Sequence, residues 1–524
     1  MDADATARIE KVEQERDRYR QLYLEMLERC RMLEKGLLGQ KAEKLSPNEA
    51  QLTMQVLGGL LQATTEDDDQ PASAESEDEQ KPPRKHRKRT GRQLPEDLPR
   101  VEIEILPDEV QREGLDAFER IGEDVCEVVE RRPASLVVVR IVRPKLVRKD
   151  RERNAETTVL VAPSVDLPID RGMAGPGLLA DTVIRRFADH QPLNRLEKIY
   201  EREGMYLPRS TVCGWHERLA ALARPLTDAM WADSMASPYL CTDATGVLVQ
   251  AKERCRRGHF WVVIAPERHV LFRFTPSHDK AAVKEMLGGY TGYLVADAHA
   301  VYDHLYETGK VTEVGCWAHC RRYFFKAMSS EPERAREALA MIGQLFRIER
   351  DLADKTAKQR KRDRQKKSKP VVEAFFRWCE IQAETALDDT PLAKALGYAH
   401  NQREAFKRFL DDGRLPLHNN NSELQLRREA VGRKNWLFVG NDDAGEVNAI
   451  FVTLIASCQM HGLEPWSYLR DLLCVLPHWP HSRVLELAPV YWRQTLEQED
   501  AQQLLRADVC RQVMLDLDGH AAAK

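Results

Sequence analysis

From Ala5 to about Leu45, apolar side chains recur in alternating steps of three and four: Ile9, Val12, Tyr19, Tyr23, Met26, Cys30, Leu33 and Leu37. Arg16 is the one polar interruption, and Glu, Arg and Lys fill the other faces. A seam that narrow predicts a coiled coil and self-association. A helix packed on its own domain is the plainer reading. From residue 101 the pattern shortens to β-branched runs, IEIL (103–106), LVVVRIVRPKLV (136–147) and TTVLVA (157–162), which predict a small β-rich module. Residues 176–220 return to a helical period. Two amphipathic segments there are separated by Gly204 and Pro208, and Ser210-Thr211 opens the second. Between 238 and 325 the pattern predicts strands at 239–250, 259–266 and 269–275, a helix at 280–287, a strand at 293–296, a further helix and a strand at 311–316. Residues 324–415 read as mostly helical. Then comes LHNNNSELQLRREAVGRKNWLFVG (417–440), a loop, an Asn-capped helix with Glu423 in its first turn, and a short strand at 436–439. Two helices follow, joined near Gly462 and Pro465. The tail from 477 to 524 carries no readable pattern.

Composition narrows the class. A chain of 524 residues with 43% hydrophobic content supports three or four domains. No apolar run reaches the roughly 18 residues of a membrane span. The N-terminus is charged rather than apolar, which points away from secretion and to the cytoplasm. Eleven cysteines occur with no C-x-x-C pair, against a disulfide framework or a Cys-pair zinc finger. The net charge of −4 says little; its distribution says more. TEDDDQPASAESEDEQ (65–80) is too polar to fold and reads as a linker. KPPRKHRKRTGR (81–92) then reverses the sign, and Arg84, Lys85, Arg87, Lys88 and Arg89 suit a phosphate backbone or a minor groove, or simply a solvated arm. KTAKQRKRDRQKKSKP (355–370) reads as a basic joining segment, either a DNA contact or a solvated loop.

The order βββαβαβ, closed by the helix bearing Glu423, is that of an α/β ribonuclease-H-like core with a helical insertion. It places Asp243 (YLCTDATGVLV) on the central first strand and Asp297 (GYLVADAHAVY) at the end of the adjacent fourth. Singly, such carboxylates are common without function, and Glu423 alone reads as a helix-start glutamate. Together, three carboxylates suit two Mg²⁺ ions, with Mn²⁺ as a substitute, for phosphodiester hydrolysis or strand transfer. Asp243 would bridge both ions, with Asp297 and Glu423 completing one each. Cys316 and His319, in CWAHC, lack a second ligand pair, so the reading is support of the site or a place in the core rather than zinc. Arg321 and Arg322 follow and would face DNA. Arg433, Lys434 and Trp436 would hold a cleaved strand end by phosphate contact and stacking, with a core place as the alternative for Trp436. Arg209, at the start of the second helix after Pro208, suits a helix-turn-helix, although plain helical packing fits as well.

The run NNNSELQLRREAVGRKNWLFVGND resembles the Glu-bearing signature of the insertion-sequence-66 family of bacterial DDE transposases. So do CWAHCRRYFF, MAGPGLLADTVIRRFADHQPLNRLEKIYEREGMYLPRSTVCGW and the RTGRQLPEDLPR entry. The likeness runs from about Lys81 to Trp492, and the N-terminal helix fits the family's zipper-like start. It implies Mg²⁺-dependent cut-and-join chemistry on terminal inverted repeats in double-stranded DNA. The triad then falls on Asp243, Asp297 and Glu423, with Cys316 and His319 as the C-x-x-H element. It further implies a bacterial, nucleoid-associated homo-oligomer, a dimer through the coiled coil, with room for accessory proteins of the same element. Relatives carry paired cysteines after the basic entry; here residues 108–127 hold only Cys126, so zinc is not expected. The expected division is coiled coil 1–62, acidic then basic linker 63–100, β-rich module 101–170, helical DNA-binding region 171–235, core 236–328 and 416–476 around an insertion 329–415, and tail 477–524. Two other functions fit the same residues, a catalytically silent DNA-binding dimer derived from a transposase and a structure-selective nuclease.

Overall fold

The computed structural model of the chain describes residues 94, 96, 98–132, 135–149, 159–252 and 254–522. The expected coiled coil, the acidic linker and the basic arm with Arg84, Lys85, Arg87, Lys88 and Arg89 lie outside the described residues.

The chain divides into two compact units. The larger holds residues 94–320, 345–374 and 401–524. It opens with a three-stranded sheet, β1 (Arg100–Glu104), β2 (Phe118–Arg132) and β3 (Ser135–Arg148), in the order β1-β3-β2. β2 runs antiparallel to β3 from Phe118↔Arg148 to Arg132↔Ser135, with a bulge between Arg120 and Gly122. β2 is the strand that sequence reasoning missed. Its residues FERIGEDVCEVVERR are charged along most of their length, so the apolar signal concentrates at Val128 and Val129. Of the expected strand at 157–162, the described residues 159–162 contribute a single bridge, Leu160 to Leu146. The tail is not patternless in three dimensions. Its last helix brings Cys510 and Val513 into one apolar cluster with Val128, Val139 and Ile141.

Three helices follow: α1 (Pro176–Val183), α2 (Leu193–Arg202) and α3 (Arg209–Ser234). α2 and α3 are joined by residues 203–208, where Gly204 adopts φ +92°. The central sheet is built from β4 (Tyr239–Val249), β5 (Arg256–Ala265), β6 (His269–Thr275), then α4 (Lys280–Leu287), β7 (Gly292–Ala296) and β8 (Val311–Gly315). Its order is β6-β5-β4-β7-β8. β4 and β6 each pair antiparallel with β5, whereas β7 and β8 run parallel to β4. After it come α5 (Trp317–Ala327), α6 (Pro332–Asp351), α7 (Ala357–Ala383), α8 (Pro391–Asn401), α9 (Asn420–Trp436), β9 (Phe438–Val439), α10 (Asp442–Met460) and α11 (Pro465–Val475). β9 adds a two-residue parallel pair to the far end of β4.

α10 covers the outer strand β6 with hydroxyl groups as well as apolar bulk. Phe272 N–H donates to Thr453 Oγ1 at 2.8 Å, and Val270 N–H donates to Ser457 Oγ at 3.1 Å. Ser457 Oγ donates back to the Val270 carbonyl at 3.1 Å. Residues 355–370, expected as a basic joining segment that is either a DNA contact or a solvated loop, form most of the first half of α7. Lys, Arg and Gln are good helix formers and no glycine interrupts them, so propensity outweighs charge repulsion. No described helix is long and apolar enough to cross a membrane.

The smaller unit includes residues 321–344 and 375–400 and is helical where described. Phe324 meets Phe375 edge-on at 5.7 Å, Tyr323 stacks on Tyr398 at 4.4 Å, and Trp378 Nε1 donates to Glu337 at 2.7 Å.

Candidate active site

The site begins with strand register. β4 and β7 pair in parallel through Cys241↔Val295. Two residues further along each strand direction stand Asp243, within β4, and Asp297, just past the end of β7, so parallel pairing leaves the two at neighbouring positions. Both are half-buried. The backbone N–H of Ala244 donates to Asp243 Oδ1 at 2.8 Å, which fixes one face of that carboxylate. Behind the pair sits Tyr302, fully buried; burial, and then the negative charge of Asp297 and to a lesser degree Asp243, holds its phenol well above the ordinary value.

Glu423 comes from the other side of the sequence, in the first turn of α9. What holds that turn is not the expected cap. Asn419 stands at the N-cap position but makes no side-chain cap bond. Its Nδ2 instead donates to the Thr242 carbonyl at 2.7 Å, and its own N–H donates to Cys316 Sγ at 3.1 Å. Asn419 is fully buried, where an amide donor with a strand carbonyl in reach gains more from that bond than from a solvent-facing helix end. α9 is thus tied to the residue preceding Asp243. At its other end Arg433 Nη1 donates to Thr245 Oγ1 at 3.0 Å and to the Gly246 carbonyl at 2.5 Å.

Glu423 is about one-third exposed, and its Oε1 lies 3.5 Å from His319 Nε2. Cys316 is buried, and burial pushes its thiol up. Next to it, Trp317 is buried and donates through Nε1 to the Phe406 carbonyl at 3.1 Å. The C-x-x-H element therefore serves two ends: Cys316 receives the Asn419 amide and His319 meets the glutamate. Among the described residues, no three His, Cys, Asp or Glu side chains stand close enough to hold a metal ion. The structure brings the two aspartates side by side and ties the helix of Glu423 to the same strand, without gathering all three carboxylates into one cage.

The expected DNA contacts fall in different settings. Arg209 is the first residue of α3, mostly exposed, with Nε 3.2 Å from Glu197. Arg321 and Arg322 are exposed on α5, and Lys434 is exposed on α9. Arg433 is turned inward to β4, as above. Trp436 is half-buried, with the Arg186 guanidinium 5.2 Å from its ring centre. Arg186 is itself half-buried and held down to about 10 by desolvation, opposite Glu429, whose burial raises it to about 7.

Sequence reasoning missed the roles of four residues. Asn419 was visible as one of three asparagines, but its strand bond was not. Tyr302 lies five residues past Asp297 and carries no periodic signal. His278 stacks flat on the buried Trp261 at 4.6 Å and meets His299 edge-on at 4.7 Å, beside Asp297. Neither histidine belongs to a motif that spacing alone would single out.

Comparison with known proteins supplies the family. Residues 171–447 match the family model described as Transposase IS66 family, residues 453–490 match the IS66 C-terminal element, and residues 25–103 match Transposase C of IS166 homeodomain. The chain is 30% identical to the uncharacterized protein y4hP of Sinorhizobium fredii (strain NBRC 101917 / NGR234), over 88% of this chain and 87% of that one. It is also 30% identical to the uncharacterized protein y4jD of the same strain, over 72% of this chain and 77% of the relative. With its central region, its C-terminal element and its N-terminal segment all matched, the chain belongs to the IS66 family of DDE transposases.

Proposed function

We propose that this chain is the DNA transposase of an insertion sequence, binding terminal inverted repeats and cutting and joining strands with Asp243, Asp297 and Glu423 as its acidic trio. The observation that carries the proposal is the register of β4 against β7, which supports neighbouring places for Asp243, within β4, and Asp297, just past the end of β7. The sheet order, three antiparallel strands followed by two parallel ones, supports a ribonuclease-H-like core. Two half-buried aspartates on adjacent inner strands fit Mg²⁺, a hard cation that takes one or two carboxylates and completes its shell with water and substrate phosphate. When bound, paired ions of this kind activate a water or a 3′-hydroxyl and stabilise the leaving oxygen.

The chain's own residues then have definite tasks. Asp243 offers the carboxylate face left by the Ala244 bond. Asn419 holds the start of α9 to the strand bearing Asp243, one helical turn before Glu423. His319, with Nε2 3.5 Å from Oε1, orients the Glu423 carboxylate. α2 and α3 with Arg209 serve as a helix-turn-helix, and Arg321, Arg322 and Lys434 as phosphate contacts. Residues 1–62 pair two copies.

The test is Mg²⁺-dependent nicking of duplex carrying the element's ends. Asp243→Asn should lower nicking about a thousandfold or more while end binding is retained. Equal cutting by variant and parent would refute the assignment, and a parent that binds ends but never cuts would mark a silent regulator.

A further inference from the structure

The basic segment 355–370 is not used by the site described above, and the structure gives it a form. From Lys358 to Lys369 it is continuous α-helix, with eight cations and a single carboxylate, Asp363, between 357 and 370. The cations divide by face. Arg364 is 1% exposed and turned inward. Its guanidinium grips Glu349 with two bonds, at 2.8 and 2.6 Å, and reaches the carbonyls of Phe409, Asp412 and Leu415 at 2.6, 3.0 and 2.9 Å. Arg360 likewise donates to the Gly413 carbonyl at 3.0 Å. At Gly413 the helix approaches so closely that an added Cβ would lie 1.8 Å from the Ala357 carbonyl oxygen. On the opposite face, Lys358, Arg362, Lys366 and Lys369 are all exposed. Spaced by four, four and three residues, they form one stripe about 16 Å long. Arg362 has Asp363 at 3.3 Å but remains two-thirds exposed.

Two features of this arrangement point to a partner. An amphipathic helix meant for a membrane or an apolar groove turns an apolar face outward; here the outer stripe is cationic, and the inner face is committed to Glu349 and the 409–415 carbonyls. The inner clamp also fixes the helix to the segment that runs, within a few residues, into Asn419 and α9. His418, the last residue before Asn419, stacks on Phe346 of α6 at 5.6 Å. A load taken by the stripe is therefore taken by the frame that positions Glu423.

We propose that Lys358, Arg362, Lys366 and Lys369 form a docking ridge for the phosphate backbone of duplex DNA, rigidly coupled through Arg364 and Arg360 to the loop preceding Glu423. This rests on the reading of the chain as a DNA-cutting enzyme and adds a surface that holds the duplex in register with Asp243 and Asp297. The ridge follows backbone charge and reads no base, so it serves flanking or target duplex as well as element ends.

The experiment measures binding, which needs no cutting. The full chain with Lys358→Ala, Arg362→Ala, Lys366→Ala and Lys369→Ala together is titrated with duplex over a range of salt. Each cation withdrawn from a phosphate reduces the slope of log K against log salt by about 0.9, so the slope should fall by about three to four and affinity with it, at an unchanged melting temperature. A variant with arginine at all four positions should restore the parent slope. An unchanged slope, with a parent that binds duplex, overturns the ridge. A loss confined to a poly-glutamate control, with duplex binding intact, assigns it to an acidic protein and overturns the proposal equally. Absence of duplex binding by the parent would strike the transposase reading instead, and nicking by the parent tests that reading separately.

Discussion

Two carboxylate settings in the larger unit make an instructive pair. Glu130, on β2, is 1% exposed and enclosed by backbone. Its Oε1 accepts the N–H groups of Arg131 and Leu178, both at 2.6 Å, at the start of α1. Gly175 and Gly177 make the room: an added Cβ would lie 2.1 Å from Oε2 or 2.5 Å from Oε1. Burial pushes this carboxyl up to about 8 despite those bonds, so near neutrality it is largely a neutral acid. Asp243, Asp297 and Glu423 stand in the opposite condition, partly open to solvent on adjacent strands and at a helix start. The lesson is that acidity of composition does not mark a site. Enclosure by amides commits a carboxyl to the fold, whereas partial exposure beside a second carboxylate leaves oxygen for an ion.

The sharpest way to break the contrast is to exchange the readouts. Asp297→Asn should cut nicking about a thousandfold and leave thermal unfolding unchanged. Glu130→Ala should lower stability by about 3–5 kcal/mol, because it strands two buried amides and leaves a void. If Asp297→Asn unfolds the chain, or Glu130→Ala leaves its denaturant midpoint unmoved, the distinction fails. A smaller effect is expected from Gly177→Ala, which forces a methyl against the Glu130 carboxyl; about 1–3 kcal/mol should be lost in a urea titration. The smallest is a pH effect. A carboxyl raised from its ordinary value of 4.5 to about 8 binds a proton in the folded state that the unfolded chain has released. Its contribution is complete below pH 4.5 and is lost as pH rises to about 8. Glu130→Gln should flatten the fall of melting temperature over that window, and a parent whose stability rises across it would show that Glu130 is ionised.

The central sheet was legible because each strand there is a short apolar run with β-branched residues. Helix α4 and strand β6 fall where the pattern put them, and Asp243 and Asp297 stood out by interrupting or ending such runs. β2 was illegible because a two-residue apolar centre in a charged strand gives no period. Residues 355–370 read as a DNA contact or a solvated loop because charge was weighed above helix propensity, and the inward turn of Arg364 and Arg360 has no counterpart in sequence. The role of Asn419 was half legible. Its residue type marks a helix start, but only the fold puts the Thr242 carbonyl within reach of its amide. Glu130 was hidden altogether, since nothing in VVERR separates a buried glutamate from a solvated one.

The hydroxyls that α10 lends to β6 have a bearing on assembly. An outermost strand ordinarily advertises its unused peptide groups to any passing chain. Here Thr453 and Ser457 answer those of Val270 and Phe272 from within the same molecule. At those two residues a second copy finds no vacant peptide group to which it could add a strand.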